Sequence, residues 1–251
     1  MSVSIKVDKY TVIDLVKCPH ILIGGSTGSG KSYLMKSMLG NVLDSKDCRV
    51  IVVDPKCVDY MFLQGVGKFE PCKGIEKKWL ERGDMVLTRR DIESNYVLMV
   101  LKSIEREMGI RYDYMMSKGF VEWQEYLDSK ECNKYDSIWE DKRIVILIDE
   151  LADLIYWDRE KSRGNVRCEL ENSIVKLSTL GRAAGIHLIL GTQRPDATIL
   201  SGQLRANISC RICLKVVNNM ERRIILGDSC KDLGERVLYY DGMYRELIRE
   251  I

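Results

Sequence analysis

Short apolar runs alternate along this chain with stretches in which apolar residues recur at helical spacing. Residues 21–23, 50–53, 144–148, 186–190 and 212–217 are brief, rich in branched side chains and apolar at successive positions. That pattern predicts strands buried on both faces, as in a parallel sheet covered by helices. Between them, Leu34, Met35, Met38, Leu39, Val42 and Leu43 mark one amphipathic helix, and Val166, Leu170, Ile174 and Leu177 mark another. The alternation predicts an α/β fold with a mostly parallel central sheet and helices on both faces. Residues 65–90 mix Gly, Lys and Pro and are expected to form loops, whereas 92–127 predict a long helix and a shorter one, broken near Gly119. Towards the end, 236–240, then Asp241-Gly242, then 243–247 predict a β-hairpin closed by a type I′ turn.

Length and composition narrow this picture. The chain has 251 residues, which suits one large α/β domain, with a lead-in segment at 1–18 and a helical insertion at 65–140. The net charge is only +2, so any contact with nucleic acid must come from a local cluster of Lys and Arg. No run approaches the roughly 18 apolar residues of a membrane span, and the first residues lack a signal-peptide core. A cytoplasmic protein is expected, with its nine cysteines reduced. Cys210 and Cys213 lack the second pair a zinc site needs, and residues three apart on a strand face opposite ways. No metal is expected there.

The candidate chemistry begins after the first strand. Gly25-Ser26-Thr27-Gly28-Ser29-Gly30-Lys31-Ser32 matches G-x-x-x-x-G-K-[ST], with a strand before it and an amphipathic helix after it. Glycines let successive N–H groups curl towards a phosphate, and the helix N-terminus adds partial positive charge. Lys31 is expected to reach the β- and γ-phosphates of ATP, and the Ser32 hydroxyl to ligate Mg²⁺. Ile144-Val145-Ile146-Leu147-Ile148-Asp149-Glu150 supplies the second half, a buried strand from whose C-terminal end two carboxylates emerge. Asp149 is expected to hold Mg²⁺ through water, and Glu150 to polarise the attacking water. Gln193, at the end of the fourth strand, is placed to sense the γ-phosphate or orient that water.

Around these motifs the chain resembles the motor domain of the FtsK/SpoIIIE family of DNA translocases. The likeness is carried by Asp14-Leu15, Lys17 and Pro19-His20, by Asp54-Pro55-Lys56, and by Glu107-Met108 and Arg111-Tyr112. It continues through Asp149-Glu150-Leu151-Ala152-Asp153, Arg182-Ala183-Ala184-Gly185-Ile186-His187, Thr192-Gln193-Arg194-Pro195 and Arg205-Ala206-Asn207-Ile208. The resemblance implies a RecA-like P-loop NTPase core, a homo-oligomeric ring (usually a hexamer), and ATP-driven movement of double-stranded DNA. It makes Arg182 an arginine finger for the neighbouring subunit and 196–207 a pore loop with Arg205 on the DNA backbone, supported by Arg194 and Arg223. Arg182 could instead cap the end of its helix, where the dipole favours a cation, and Arg205 could be an ordinary surface arginine. Asn218-Asn219 stand where the family often has a polar-basic pair. Neither a membrane anchor nor a winged-helix DNA reader is read in the chain, so a mobile-element or phage motor is expected rather than a division protein. The alternatives are a viral genome-packaging ATPase and a protein-secretion motor of the type VII kind.

Overall fold

The computed structural model describes residues 3–45, 47–60, 70–71, 84–93, 95–129, 141–156, 164–228, 230, 234–240 and 242–248. A small antiparallel pair, β1 (Ser4–Lys6) and β2 (Val12–Asp14), opens the chain. Then follow β3 (His20–Gly24), α1 (Lys31–Asp44), β4 (Cys48–Asp54), β5 (Glu70–Pro71), β6 (Met85–Thr88), α2 (Arg89–Glu93), α3 (Tyr96–Lys118) and α4 (Trp123–Leu127). The second half comprises β7 (Arg143–Ile148), α5 (Leu151–Tyr156), α6 (Gly164–Leu180), β8 (Ile186–Thr192), α7 (Gly202–Asn207), β9 (Cys210–Cys213), α8 (Asn219–Leu226), β10 (Val237–Tyr240) and β11 (Met243–Glu246).

Among the described residues, nine strands form one sheet in the order β11-β10-β9-β3-β8-β7-β4-β6-β5, parallel from β5 to β9 and antiparallel over β10 and β11. The side-chain period of two sorts each central strand between two cores. Leu22, Ile51, Val53, Ile144, Ile146, Ile148, Ile186, Leu188 and Leu190 face α3, α5 and α6. Ile21, Ile23, Val50, Val52, Val145, Leu147 and Ile189 face α1, together with Ile5 and Ile13 of the β1–β2 pair. Cys210 lies in the α1-side core and Cys213 in the other, so the two thiols are on opposite faces of β9.

The long helix and its break fall as the periodicity predicts: α3 ends at Gly119, whose φ of 77° no branched residue would adopt readily. The C-terminal hairpin pairs Tyr240 with Met243 and has Gly242 at φ 75°, while Asp241 lies outside the described residues.

Three sequence expectations need correction. Residues 85–88, expected in a loop, are a strand paired with β4. The Asp84 carboxylate accepts the Val50 N–H at 2.7 Å, and Thr88 donates to Asp91, opening α2 at once. A four-residue run cut off so soon by a helix carries little periodicity of its own. Residues 65–83 lie outside the described residues apart from β5. The strand expected at 212–217 is instead Cys210–Cys213. Its partner β3 ends at Gly24, matched with Cys213, and the ladder stops where the glycine loop begins. Finally, the expected loop at 196–207 consists of a turn closed on Asp196 and then helix α7, capped by the Ser201 hydroxyl on the Leu204 N–H.

Both histidines are buried between β3 and β8. His20 Nδ1 accepts the Leu188 N–H at 3.2 Å, and His187 Nδ1 lies 3.2 Å from the Pro19 carbonyl. Burial pushes His20 down to about 4, and burial with the adjacent His20 pushes His187 down to about 3. The unfolded chain takes up protons below about pH 6.5 that the fold refuses. Their contribution to stability is therefore complete above about 6.5 and is lost as the pH falls towards 4 and 3. The slope is up to about 1.4 kcal/mol per pH unit for each histidine. Urea unfolding at pH 7 and pH 5 measures it, and His187→Gln should flatten the dependence. An unchanged slope in that variant would sink the assignment.

Candidate nucleotide site

The site lies at the C-terminal ends of β3, β8 and β7, three neighbours in the sheet. Because β8 runs between the other two, the residue after it sits between the glycine loop and the acidic pair. Gly25 to Ser32 wraps from β3 into α1, with Gly28 at φ 80° and Gly30 at φ 91°. α1 has no side-chain N-cap and no acidic residue in its first turn, so its leading N–H groups and dipole are open to an anion. The Ser26 N–H and hydroxyl both donate to the Lys215 carbonyl beyond β9, which fixes the outer wall of the loop.

Lys31 is buried and bridges the two motifs, its Nζ donating to the Asp149 carbonyl and, at 3.1 Å, to Asp149 Oδ1. Glu150 accepts the Gln193 N–H at 2.8 Å on Oε2 and the Ala152 N–H at 3.3 Å on Oε1. The Gln193 side-chain carbonyl in turn accepts the Thr27 hydroxyl at 3.0 Å. Thr27, Gln193 and Glu150 thus form one line from the phosphate loop to the acidic pair. Burial raises the Glu150 carboxyl above its ordinary range, against the opposing charge of Lys31, the hydrogen bonds from Gln193 and Thr192, and the charge of Lys56. A carboxylate so placed is short of water and has two lysines close by, which suits a group that takes up or polarises a proton.

The donor set fits a phosphate-bound Mg²⁺. Asp149 Oδ2 and Ser29 Oγ are buried and have no hydrogen-bond partner among the described residues, which leaves acceptor capacity on both. The Ser32 hydroxyl donates to Asp59, so its lone pairs remain available. Among the described residues no three His, Cys, Asp or Glu side chains gather into a group that could hold a metal ion.

Arg182 is not part of this arrangement. It precedes β8, whereas Gln193 follows it, and seven residues at about 3.3 Å each put the two roughly 20 Å apart. Its guanidinium is 57% exposed and lies 3.7 Å from the Glu122 carboxylate. It does not cap α6: the Leu177 carbonyl is taken by the Gly181 N–H and the Leu180 carbonyl by the Tyr112 hydroxyl. Behind the Arg182 turn sits the fully buried Arg111. It donates to Glu107 at 2.7 Å and to the Ala184 and Lys142 carbonyls at 2.9 Å each, and stacks 4.3 Å from the Trp123 ring. Gly185, at φ 69°, lets Trp123 close on the turn: a Cβ there would fall 2.6 Å from the indole.

Known proteins share this fold. The profile of the FtsK/SpoIIIE family matches residues 1–197. The chain belongs to the FtsK/SpoIIIE family. Among curated relatives, the DNA translocase FtsK of Borreliella burgdorferi is 32% identical over 222 residues, which are 87% of this chain and 25% of that protein. The Treponema pallidum DNA translocase FtsK is 32% identical over 228 residues, 86% of this chain and 24% of that one. Among solved structures, the pCW3 conjugation coupling protein TcpA with ATPγS superposes with a TM-score of 0.69 at 27% identity, covering 97% of this chain and 63% of that one. The type VII secretion ATPase EccC of Thermomonospora curvata has the same fold, with a TM-score of 0.69 at 22% identity over 97% of this chain and 28% of that one. The chain therefore spans about a quarter of the length of the curated relatives it matches. It has the fold of the P-loop ATPases and carries their phosphate-loop motif.

In this FtsK/SpoIIIE member, the basic residues flagged from sequence separate into two groups. Arg205 and Arg223 line one cavity of about 320 Å³ with Met220, Ile224, Gly227 and Asp228. Arg223 is exposed on α8, whereas Arg205 is half buried, its Nη1 on the Ile224 carbonyl at 3.4 Å. Arg194 is exposed beside Gln193 and lines no part of that cavity. Asn218 caps α8 by accepting the Glu221 N–H.

Sequence reasoning gave no individual role to three residues of the nucleotide site. Lys56 lies 3.9 Å from Glu150 and 3.8 Å from Asp153. Asp59 joins Ser32 to Lys36. A side chain at Gly191 would collide with the Asp149 carbonyl and the Met35 sulfur, so this glycine sets the spacing of β8, the acidic turn and α1. A glycine inside an otherwise apolar strand was the available signal.

Proposed function

We propose that this chain is the ATP-hydrolysing motor of a homo-oligomeric ring, a hexamer by family resemblance, that moves double-stranded DNA. The observation that carries the reading is the hydrogen-bonded line Thr27–Gln193–Glu150, in a chain whose curated relatives are named DNA translocases. Such a line ties the residue nearest the water to the loop that holds the phosphates. Lys31 meets the charge of the β- and γ-phosphates, and the loop N–H groups orient them. Ser32 and Asp149 hold Mg²⁺, which offsets phosphate charge when bound. Glu150 polarises the attacking water, and Gln193 keeps its carboxylate aimed. Arg182, too far from its own chain's site, serves the site of a neighbour. Arg194, Arg205 and Arg223 contact DNA phosphates.

DNA stimulation of ATP hydrolysis tests this. Double-stranded DNA of any sequence should raise the rate, and the apparent affinity should fall steeply with salt as counterions are released. Arg223→Ala should lower the DNA-stimulated rate more than the basal one. It is the cleaner variant, because Arg205→Ala also removes a contact between α7 and α8. Stimulation by a polypeptide and not by DNA would replace this reading with a secretion motor.

A further inference from the structure

We infer that Asp59 is a positioning residue for the divalent cation, acting by holding the proton of the Ser32 hydroxyl. This rests on the reading that Ser32 ligates Mg²⁺. Ser32 Oγ donates to Asp59 Oδ2 at 3.1 Å, and Lys36 Nζ donates to Asp59 Oδ1 at 2.7 Å. Ser32 and Lys36 are four apart on α1 and so share one face of its first turn. Asp59, on the segment after β4, spans that turn with both carboxylate oxygens engaged.

A serine hydroxyl has one proton and two lone pairs, and its rotor is free until an acceptor fixes it. With the proton on Asp59, the lone pairs are directed elsewhere and the oxygen gains donor strength, as a metal ligand's outer partner provides. Asp149 does not do this for Ser32: its Oδ1 takes Lys31, and its Oδ2 has no hydrogen-bond partner among the described residues. Lys36 fixes the orientation of the Asp59 carboxylate and offsets its charge, so Asp59 directs Ser32 rather than competing for the cation.

The test measures metal affinity rather than turnover. Mn²⁺ binding to the chain loaded with ATPγS is followed by electron paramagnetic resonance, and ATPγS affinity is measured separately in EDTA. Asp59→Ala should weaken Mn²⁺ binding by about 10–100-fold, the usual cost of losing an outer partner. ATPγS affinity in EDTA should stay within about twofold, and Asp59→Glu should recover part of the loss. Unchanged or tighter Mn²⁺ binding in Asp59→Ala overturns the proposal, as does an equal loss of ATPγS affinity in EDTA, which would mean a collapsed loop. Ser32→Ala separates the two layers. If it leaves Mn²⁺ affinity intact, the ligand assignment fails and the proposal with it. If Ser32→Ala weakens Mn²⁺ and Asp59→Ala does not, only the role of Asp59 is lost.

Discussion

Glu150→Gln should bind ATP as tightly as the parent chain and hydrolyse it about 10²–10⁴-fold more slowly. The amide keeps the shape of the carboxylate, and its oxygen can still accept the Gln193 N–H that now ends on Oε2. What it loses is the ability to draw a proton from water. Glu150 sits where burial works against its charge while Lys31 and Lys56 work for it, so its ionised form depends on the assembled site. Lys31→Ala should fail differently, with nucleotide affinity itself lost, because the ammonium meets phosphate charge present before any chemistry. It also leaves the buried Asp149 without the cation that now contacts Oδ1. Equilibrium binding of a fluorescent ATP analogue, set beside phosphate release, separates the two outcomes. Normal turnover in Glu150→Gln would remove that residue from the mechanism.

Mixing two inactive variants should restore activity. Arg182→Ala is expected to lower turnover by about 10³–10⁵-fold, the range for an arginine supplied between molecules in phosphoryl transfer. β8 lies between Arg182 and Gln193, so the guanidinium is expected to serve the site of another chain rather than its own. Hydrogen-bonded capping by Arg182 is not seen: the Leu177 and Leu180 carbonyls of α6 take other donors, and the guanidinium pairs with Glu122. The turn is held from behind by Arg111 and Trp123, so the exposed guanidinium projects from a fixed base and is paired with the Glu122 carboxylate. In mixed assemblies of Arg182→Ala and Glu150→Gln, some interfaces join an intact Glu150 site to an intact Arg182. The ATPase rate is measured against mixing ratio with double-stranded DNA present, and sedimentation verifies that the variants co-assemble. If they do, and activity never exceeds the weighted sum of the two, Arg182 does not act in trans.

How much of this was legible in sequence follows from which interactions are local. The central strands were legible because burial on both faces leaves continuous apolar runs, and their helices because a single apolar stripe repeats at 3.6 residues. The phosphate loop was legible because the chemistry of curling N–H groups around a phosphate is written in adjacent residues. Glu150 and Gln193 were read individually, each from the end of its strand. Their hydrogen bond was not, because it depends on β8 inserting between β3 and β7, an order no local pattern states. β6 escaped for the same reason: four residues become a strand only because β4 offers an edge. β9 stops short of its apolar run because β3 turns away into the glycine loop. From sequence, Arg205 is a DNA contact on a loop or else an ordinary surface arginine, and only the fold shows it on α7, docked on α8. The sequence determined which segments are strand, helix and phosphate loop, since those follow from periodicity and short-range chemistry. Tertiary structure alone decided who neighbours whom: that Asp59 reaches Ser32, that Gly191 must stay bare beneath Asp149, and that Arg182 pairs with Glu122. Such contacts join residues distant in the chain, and only the packed sheet brings them within bonding distance.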